Sequence, residues 1–245
     1  MPRDYWRAAR HPRYALLFAL PLLLLYEGLS LVLTQSAYAG VRNGADVLLK
    51  TLFVTLGGSR GVAVFSLLLL GVGAWFVWRD RRRHPGPLDR RVFALMLAES
   101  AVYAMLLGGV VSALASVLLS PVLSVAQGAD PVRLSLAGQL VLSLGAGIYE
   151  ELLFRVLLVS GLLALGLRLG WRRSGAVAAA VVVAALVFSA FHYVGPMGDT
   201  LTLASFTFRA IAGLLLSGLY VARGFGIAAW THALYDVGLT LLSSS

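Results

Sequence analysis

Glu150-Glu151-Leu152-Leu153-Phe154-Arg155 places two adjacent carboxylates and an arginine in an otherwise apolar stretch. On a helix Glu151 and Arg155 stand at i,i+4 and share a face. Glu150 points about 100° away, toward a different neighbour. One arginine can hold one carboxylate charged and leave the other to exchange a proton, which is what a general base does. The non-chemical alternative is an ion pair that locks helix packing. His192 ends the run Phe188-Ser189-Ala190-Phe191-His192, with Phe188 one turn earlier on the same face. His232 and Asp236 are again i,i+4. There the carboxylate can orient the imidazole, or both can ligate one metal. Without chemistry, they form a buried hydrogen bond.

The elements that carry these residues are membrane helices. Of 245 residues, 59% are hydrophobic and 13% charged. Soluble domains run nearer half apolar and a quarter charged, and the mean hydropathy is +0.85. This composition excludes an ordinary soluble enzyme and a disordered chain. Seven stretches reach or approach the roughly 20 apolar residues needed to cross a bilayer. They are 15–34, 61–78, 92–119, 135–167, 175–193, 201–222 and 224–243. The stretch 45–57 is shorter, contains Lys50, and reads as an interfacial or half-inserted helix. The fold expected is all-α, a polytopic transmembrane bundle in a single domain over 1–245.

Net charge is +9, and its placement indicates a membrane rather than a nucleic acid. Arginines cluster before the first span, between the second and third, between the fourth and fifth, and at Arg223 between the sixth and seventh. This puts the N-terminus in the cytoplasm. Ala37-Tyr38-Ala39 imitates a signal-peptidase site. The apolar run before it is too long for a cleaved leader and contains Glu27, so an uncleaved first span is expected. Cysteine is absent, which removes thiol nucleophiles and thiolate metal sites.

Most acids fall in predicted loops, including Asp46 and Asp80. Glu27, Glu99, Glu150, Glu151 and Asp236 fall inside spans, where a charge costs about 3 kcal/mol on insertion scales. Glu150 lies 18 residues from Arg168 and His192 lies 19 from Arg173. Both therefore sit about 27–29 Å from one arginine turn and can face each other. His232 is only nine residues from Arg223. The three groups meet only if the turn after the fourth span overhangs or the sixth–seventh turn is recessed.

The three clusters, in this order, resemble the CAAX-protease and bacteriocin-processing (Abi) family of intramembrane proteases. Its pattern is E-E-x-x-x-R, F-x-x-x-H and H-x-x-x-N or H-x-x-x-D on separate helices. The likeness covers about residues 140–240, the expected catalytic core. It implies an intramembrane endopeptidase in which Glu150 activates water, Glu151 and Arg155 form a supporting pair, and His192 holds the water. His232 and Asp236 would stabilise an oxyanion or complete a metal site. The family has been described both as metalloproteases and as metal-independent glutamate proteases. Asp236, unlike Asn, donates no hydrogen bond as a carboxylate. Glu150, His192, His232 and Asp236 together suit Zn²⁺ with bound water, and the metal-independent route stands beside it. The substrate implied is a hydrophobic or lipid-anchored peptide in membrane lipid, not a nucleic acid.

Other classes fit less well. Gly57-Gly58-Ser59-Arg60-Gly61 matches G-x-S-x-G of a rhomboid-type serine protease, but Ser59 lies far upstream of both membrane histidines. Tyr235-Asp236 and Gly198-Asp199 resemble an aspartyl site in reversed order. A non-enzymatic immunity or scaffold protein of the same family should lose a motif position, and none is lost. Glu27 and Glu99 could line the same cavity or pair with Arg209. Gly145 and Gly147 suit close helix packing.

Overall fold

The structure, a computed structural model, describes residues 5–33, 41–119, 135–195 and 198–243. The Ala37–Ala39 motif, Arg3, Asp4, Asp130 and Arg133 lie outside them. The described residues are helical, with no strand among them. In order they form α1 (Tyr5–Ala8), α2 (Pro12–Leu33), α3 (Gly44–Gly57), a 3₁₀ turn (Gly58–Arg60), α4 (Gly61–Arg83) and α5 (Arg90–Leu119). A continuous helical segment follows, made of α6 (Leu136–Gly145), a π-helical stretch (Ala146–Val159) and α7 (Ser160–Arg168). The chain ends with α8 (Arg173–Phe191), α9 (Leu203–Arg223) and α10 (Phe225–Ser243).

Five stretches among the described residues are long and apolar enough to cross a membrane: Pro12–Leu33, Gly44–Arg83, Arg90–Leu119, Arg173–Phe191 and Leu203–Arg223. With their apolar surfaces turned outward, they make this an integral membrane protein. The two expected spans that miss this criterion are 136–168 and α10, the helices that carry Glu150, Glu151, Arg155, His232 and Asp236. Within Gly44–Arg83 the chain reverses. The Phe53 and Phe65 rings lie 5.3 Å apart, where 12 residues of straight helix would separate them by about 18 Å. Gly61 makes the reversal possible, because a Cβ there would lie 2.3 Å from the Phe53 carbonyl oxygen. At 14 residues, α3 spans about 21 Å, short of the roughly 30 Å hydrocarbon core.

Two glycines set the packing around the π stretch. A Cβ on Gly147 would sit 2.5 Å from the Ala233 Cβ, and one on Gly145 would sit 2.5 Å from the Asn43 Cβ. Their absence lets α10 and the start of α3 close onto the helix that carries Glu150.

Three expectations about charges are corrected. Asp46 is not in a loop but in the first turn of α3, fully buried, with Arg42 at 2.6 Å and Lys50 at 2.7 Å. Asp80 is not in a loop either. It lies buried in the last turn of α4, where His11, His84 and Arg13 converge on it at 3.2, 3.1 and 3.6 Å. Arg223 is no exposed orientation signal. It is buried beneath α1, joined to Glu99 through Nε at 2.6 Å and Nη2 at 2.8 Å, and stacked 3.9 Å from the Trp6 ring. The α9–α10 turn is thus covered by α1, with Arg223 Nη1 donating to the Trp6 carbonyl oxygen at 3.0 Å.

Candidate active site

The π stretch positions the acids. Its hydrogen bonds skip one residue further than in an α-helix, so the backbone widens; such segments are rare and cluster at functional sites. Here it turns Glu150, Glu151, Phe154 and Arg155 all inward, each buried. α8 delivers Phe188 and His192 against them, and α10 delivers His232 and Asp236.

Glu150 and His192 face each other, with Oε2 and Nε2 3.9 Å apart. That is too long for a direct hydrogen bond and close enough for one small polar group to touch both. The His192 Nδ1–H donates to the Phe188 carbonyl oxygen at 2.8 Å, which leaves the Nε2 lone pair turned to Glu150. Asn43 holds the other carboxylate oxygen, its Nδ2 donating to Oε1 at 2.7 Å. Oε2 is buried and takes no hydrogen bond from the described residues.

Glu151 belongs to a separate network. Arg155 Nη1 reaches its Oε1 at 3.1 Å, and the His232 Nδ1–H donates to the same oxygen at 2.7 Å. The other His232 nitrogen, Nε2, stands 3.5 Å from Asp236 Oδ2. Phe188 lies between the two networks. The Arg155 guanidinium sits 4.4 Å from its ring centre, and the His192 and His232 rings lie 4.8 and 6.0 Å away. The structure therefore gathers all six expected residues, while the partner of His232 at hydrogen-bond distance is Glu151 on another helix, not its i,i+4 neighbour.

His232 turns both nitrogens to carboxylates, Nδ1 to Glu151 and Nε2 to Asp236. Among the described residues, the one trio of His and acidic donors within 4.8 Å of one another is His11, Asp80 and His84, at the opposite end of the bundle. Ser59 is exposed at the tip of the α3–α4 hairpin. Phe191 touches Gly44 at the other end of α3, so about 20 Å of helix separates Ser59 from His192. Asp199 is exposed and paired with Arg209 rather than with Asp236. Glu99 is held by Arg223, and Glu27 is held by Lys50 at 2.8 Å, Arg42 at 3.3 Å and the Tyr149 hydroxyl at 2.6 Å. Neither pairs with Arg209.

Asn43 was not among the expected residues. It caps α3, its Oδ1 accepting from the Ala45 N–H at 2.9 Å. Tyr26 donates to Asp46 at 2.7 Å and accepts from the Asn43 N–H at 3.2 Å, which fixes the cap against α2. The available signal was Asn43-Gly44 ahead of an apolar run with Asp46 and Lys50 at i,i+4, a helix start with a matched charge pair.

The segment that bears Glu150, Glu151, Arg155, Phe188, His192, His232 and Asp236 also matches a family model. Residues 132–238 fit the family model described as type II CAAX prenyl endopeptidase Rce1-like. Neither curated proteins nor solved structures give a match. The family match encloses the three motifs in their order, and over this segment the chain is similar to the Rce1-like CAAX prenyl endopeptidases.

Proposed function

We propose that the protein is an intramembrane endopeptidase of the CAAX-processing type, acting on a hydrophobic or lipid-anchored peptide. Seven helical segments cross the bilayer, with α3 half-inserted and the N-terminus cytoplasmic. The observation that carries the reading is the Glu150–His192 pair. A buried carboxylate oxygen without a donor among the described residues faces an imidazole lone pair across a 3.9 Å gap, and a water between them would be positioned by both.

In the proposed reaction Glu150 Oε2 takes a proton from that water as its oxygen attacks the scissile carbonyl carbon. His192 Nε2 accepts the water's second hydrogen bond and orients it. With both nitrogens protonated, His232 donates from Nε2 to the oxyanion while Nδ1–H stays on Glu151, and Asp236 balances its charge. The proton on Glu150 then passes to the amide nitrogen. The C–N bond breaks, releasing an amine and a carboxylic acid. No step calls on a metal.

The test is hydrolysis of a farnesylated CAAX peptide and of its unprenylated counterpart in proteoliposomes. Cleavage of either, lost in His192→Ala and unchanged by a zinc chelator, is the expected result. Activity removed by chelation and restored by Zn²⁺ would overturn the metal-free mechanism. No cleavage of any hydrophobic peptide would favour a non-enzymatic role.

Asn43 gives a finer test. Asn43→Asp keeps an N-cap oxygen, so α3 should hold to within about 1 kcal/mol. It replaces the donor on Glu150 with a like charge, and turnover should fall roughly 10–100-fold. Equal loss of melting temperature and activity would instead reduce Asn43 to a cap.

A further inference from the structure

A cavity of about 1100 Å³ opens between α2, α4 and the π stretch with α7. It is slightly larger than ordinary ligand sites, roughly 300–1,000 Å³. Leu16, Leu20 and Leu23 line one wall, and Leu69, Gly73 and Val77 line another. Those spacings are one face of each helix. At its inner end are Ile148 and Tyr149, whose neighbours Glu150 and Glu151 turn elsewhere, so the groove is separate from the candidate active site.

One end of the groove is different. Arg10 before α2, Arg81 and Arg82 in α4, and Arg173 at the start of α8 all line it. Arg10 donates to the Val221 carbonyl and Arg82 lies over the Trp78 ring. Among the described residues, none of the four pairs with a carboxylate. From Arg10 to Leu23, and from Arg81 to Leu69, the walls run about 18–20 Å. The depth of one leaflet is about 15 Å of hydrocarbon plus its headgroup region. An apolar slot of that depth, with four cations at its mouth that pair with no carboxylate among the described residues, complements a molecule with an anionic head and a hydrocarbon tail.

We propose that this groove binds an anionic phospholipid, its phosphate among Arg10, Arg81, Arg82 and Arg173 and one acyl chain along α2 and α4 toward Tyr149. Arginine supplies the forked donors that phosphate takes up. The chain would lie against Leu152 and Val156, on the outer face of the stretch that carries Glu150 and Glu151. The proposal does not depend on proteolysis.

The experiment is native mass spectrometry of the detergent-purified full chain, mixed with phosphatidylglycerol and phosphatidylethanolamine of identical acyl chains. Phosphatidylglycerol should be retained at least about tenfold better, since only its headgroup carries net charge for the arginines. Replacing all four arginines by glutamine should weaken its retention about 100-fold or more. Gly73→Trp should also displace it, because a side chain at Gly73 meets nothing within 4 Å and grows into the groove. If that variant fails to fold, the arginine variant decides. Equal retention of the two lipids, or retention unaffected by the arginine changes, overturns the proposal. So does displacement of phosphatidylglycerol by a farnesylated peptide, which would assign the groove to the substrate's own lipid.

Discussion

Glu150→Gln is expected to lower turnover by roughly 10³-fold or more while leaving the fold intact, with general-base loss accounting for about 10²–10⁴. The substitution is nearly isosteric, and its amide oxygen still accepts from Asn43 Nδ2, which lies 2.7 Å from Oε1. What it loses is the basic oxygen opposite His192. Packing around Gly145 and Gly147 is unchanged, so thermal unfolding in detergent should move by less than about 1 kcal/mol. The loss should fall on kcat rather than KM, because the carboxylate acts on the water and not on the ground-state peptide. Adding His192→Ala should cost little more, since the two residues act on the same water. Full activity in Glu150→Gln would falsify the assignment of the base. A large loss of stability with it would show that the carboxylate is a packing element first.

The motifs were legible because helical spacing is local. Glu151 and Arg155, or His232 and Asp236, share a face on any regular helix, and matching depths put Glu150 opposite His192. What could not be read were partners from distant parts of the chain. Asn43 is 107 residues from Glu150, and Glu99 is 124 from Arg223. Charges near the ends of apolar runs misled in one direction. Asp46, Asp80 and Arg223 looked like loop residues because hydropathy treats charge as a boundary, whereas a charge with a partner can remain inside the helix. The break at Gly58–Arg60 was legible, since the stretch reads as two apolar runs, 45–57 and 61–78, with glycines between, but the close approach of Gly61 to Phe53 is a tertiary fact. The π winding of Ala146–Val159 left no mark in composition either.

Arg155→Leu is expected to destabilise the protein by about 3–5 kcal/mol, the cost of leaving one member of a buried ion pair unmatched. Both Glu151 and Arg155 are fully buried, so water does not screen the change as it does at a surface. The His232 Nδ1–H would remain on Glu151, and the loss should sit at the lower end if that imidazole takes over the charge. Arg155→Lys should recover only part of the stability. Its ammonium is compact and more strongly hydrated, and it stacks less well on Phe188 than a planar guanidinium does. The decisive variant is the double replacement Glu151→Gln with Arg155→Leu, which removes both charges and keeps an acceptor for His232. It should regain most of the lost stability, because a buried pair is frequently no better than apolar groups of the same volume. Peptide cleavage separates structure from function. If the pair serves to hold His232, the double variant should melt near the parent protein and still hydrolyse roughly 10–100-fold more slowly. Recovery of both stability and turnover would reduce Glu151 and Arg155 to a packing device, and would leave Glu150, Asn43 and His192 as the working part of the site.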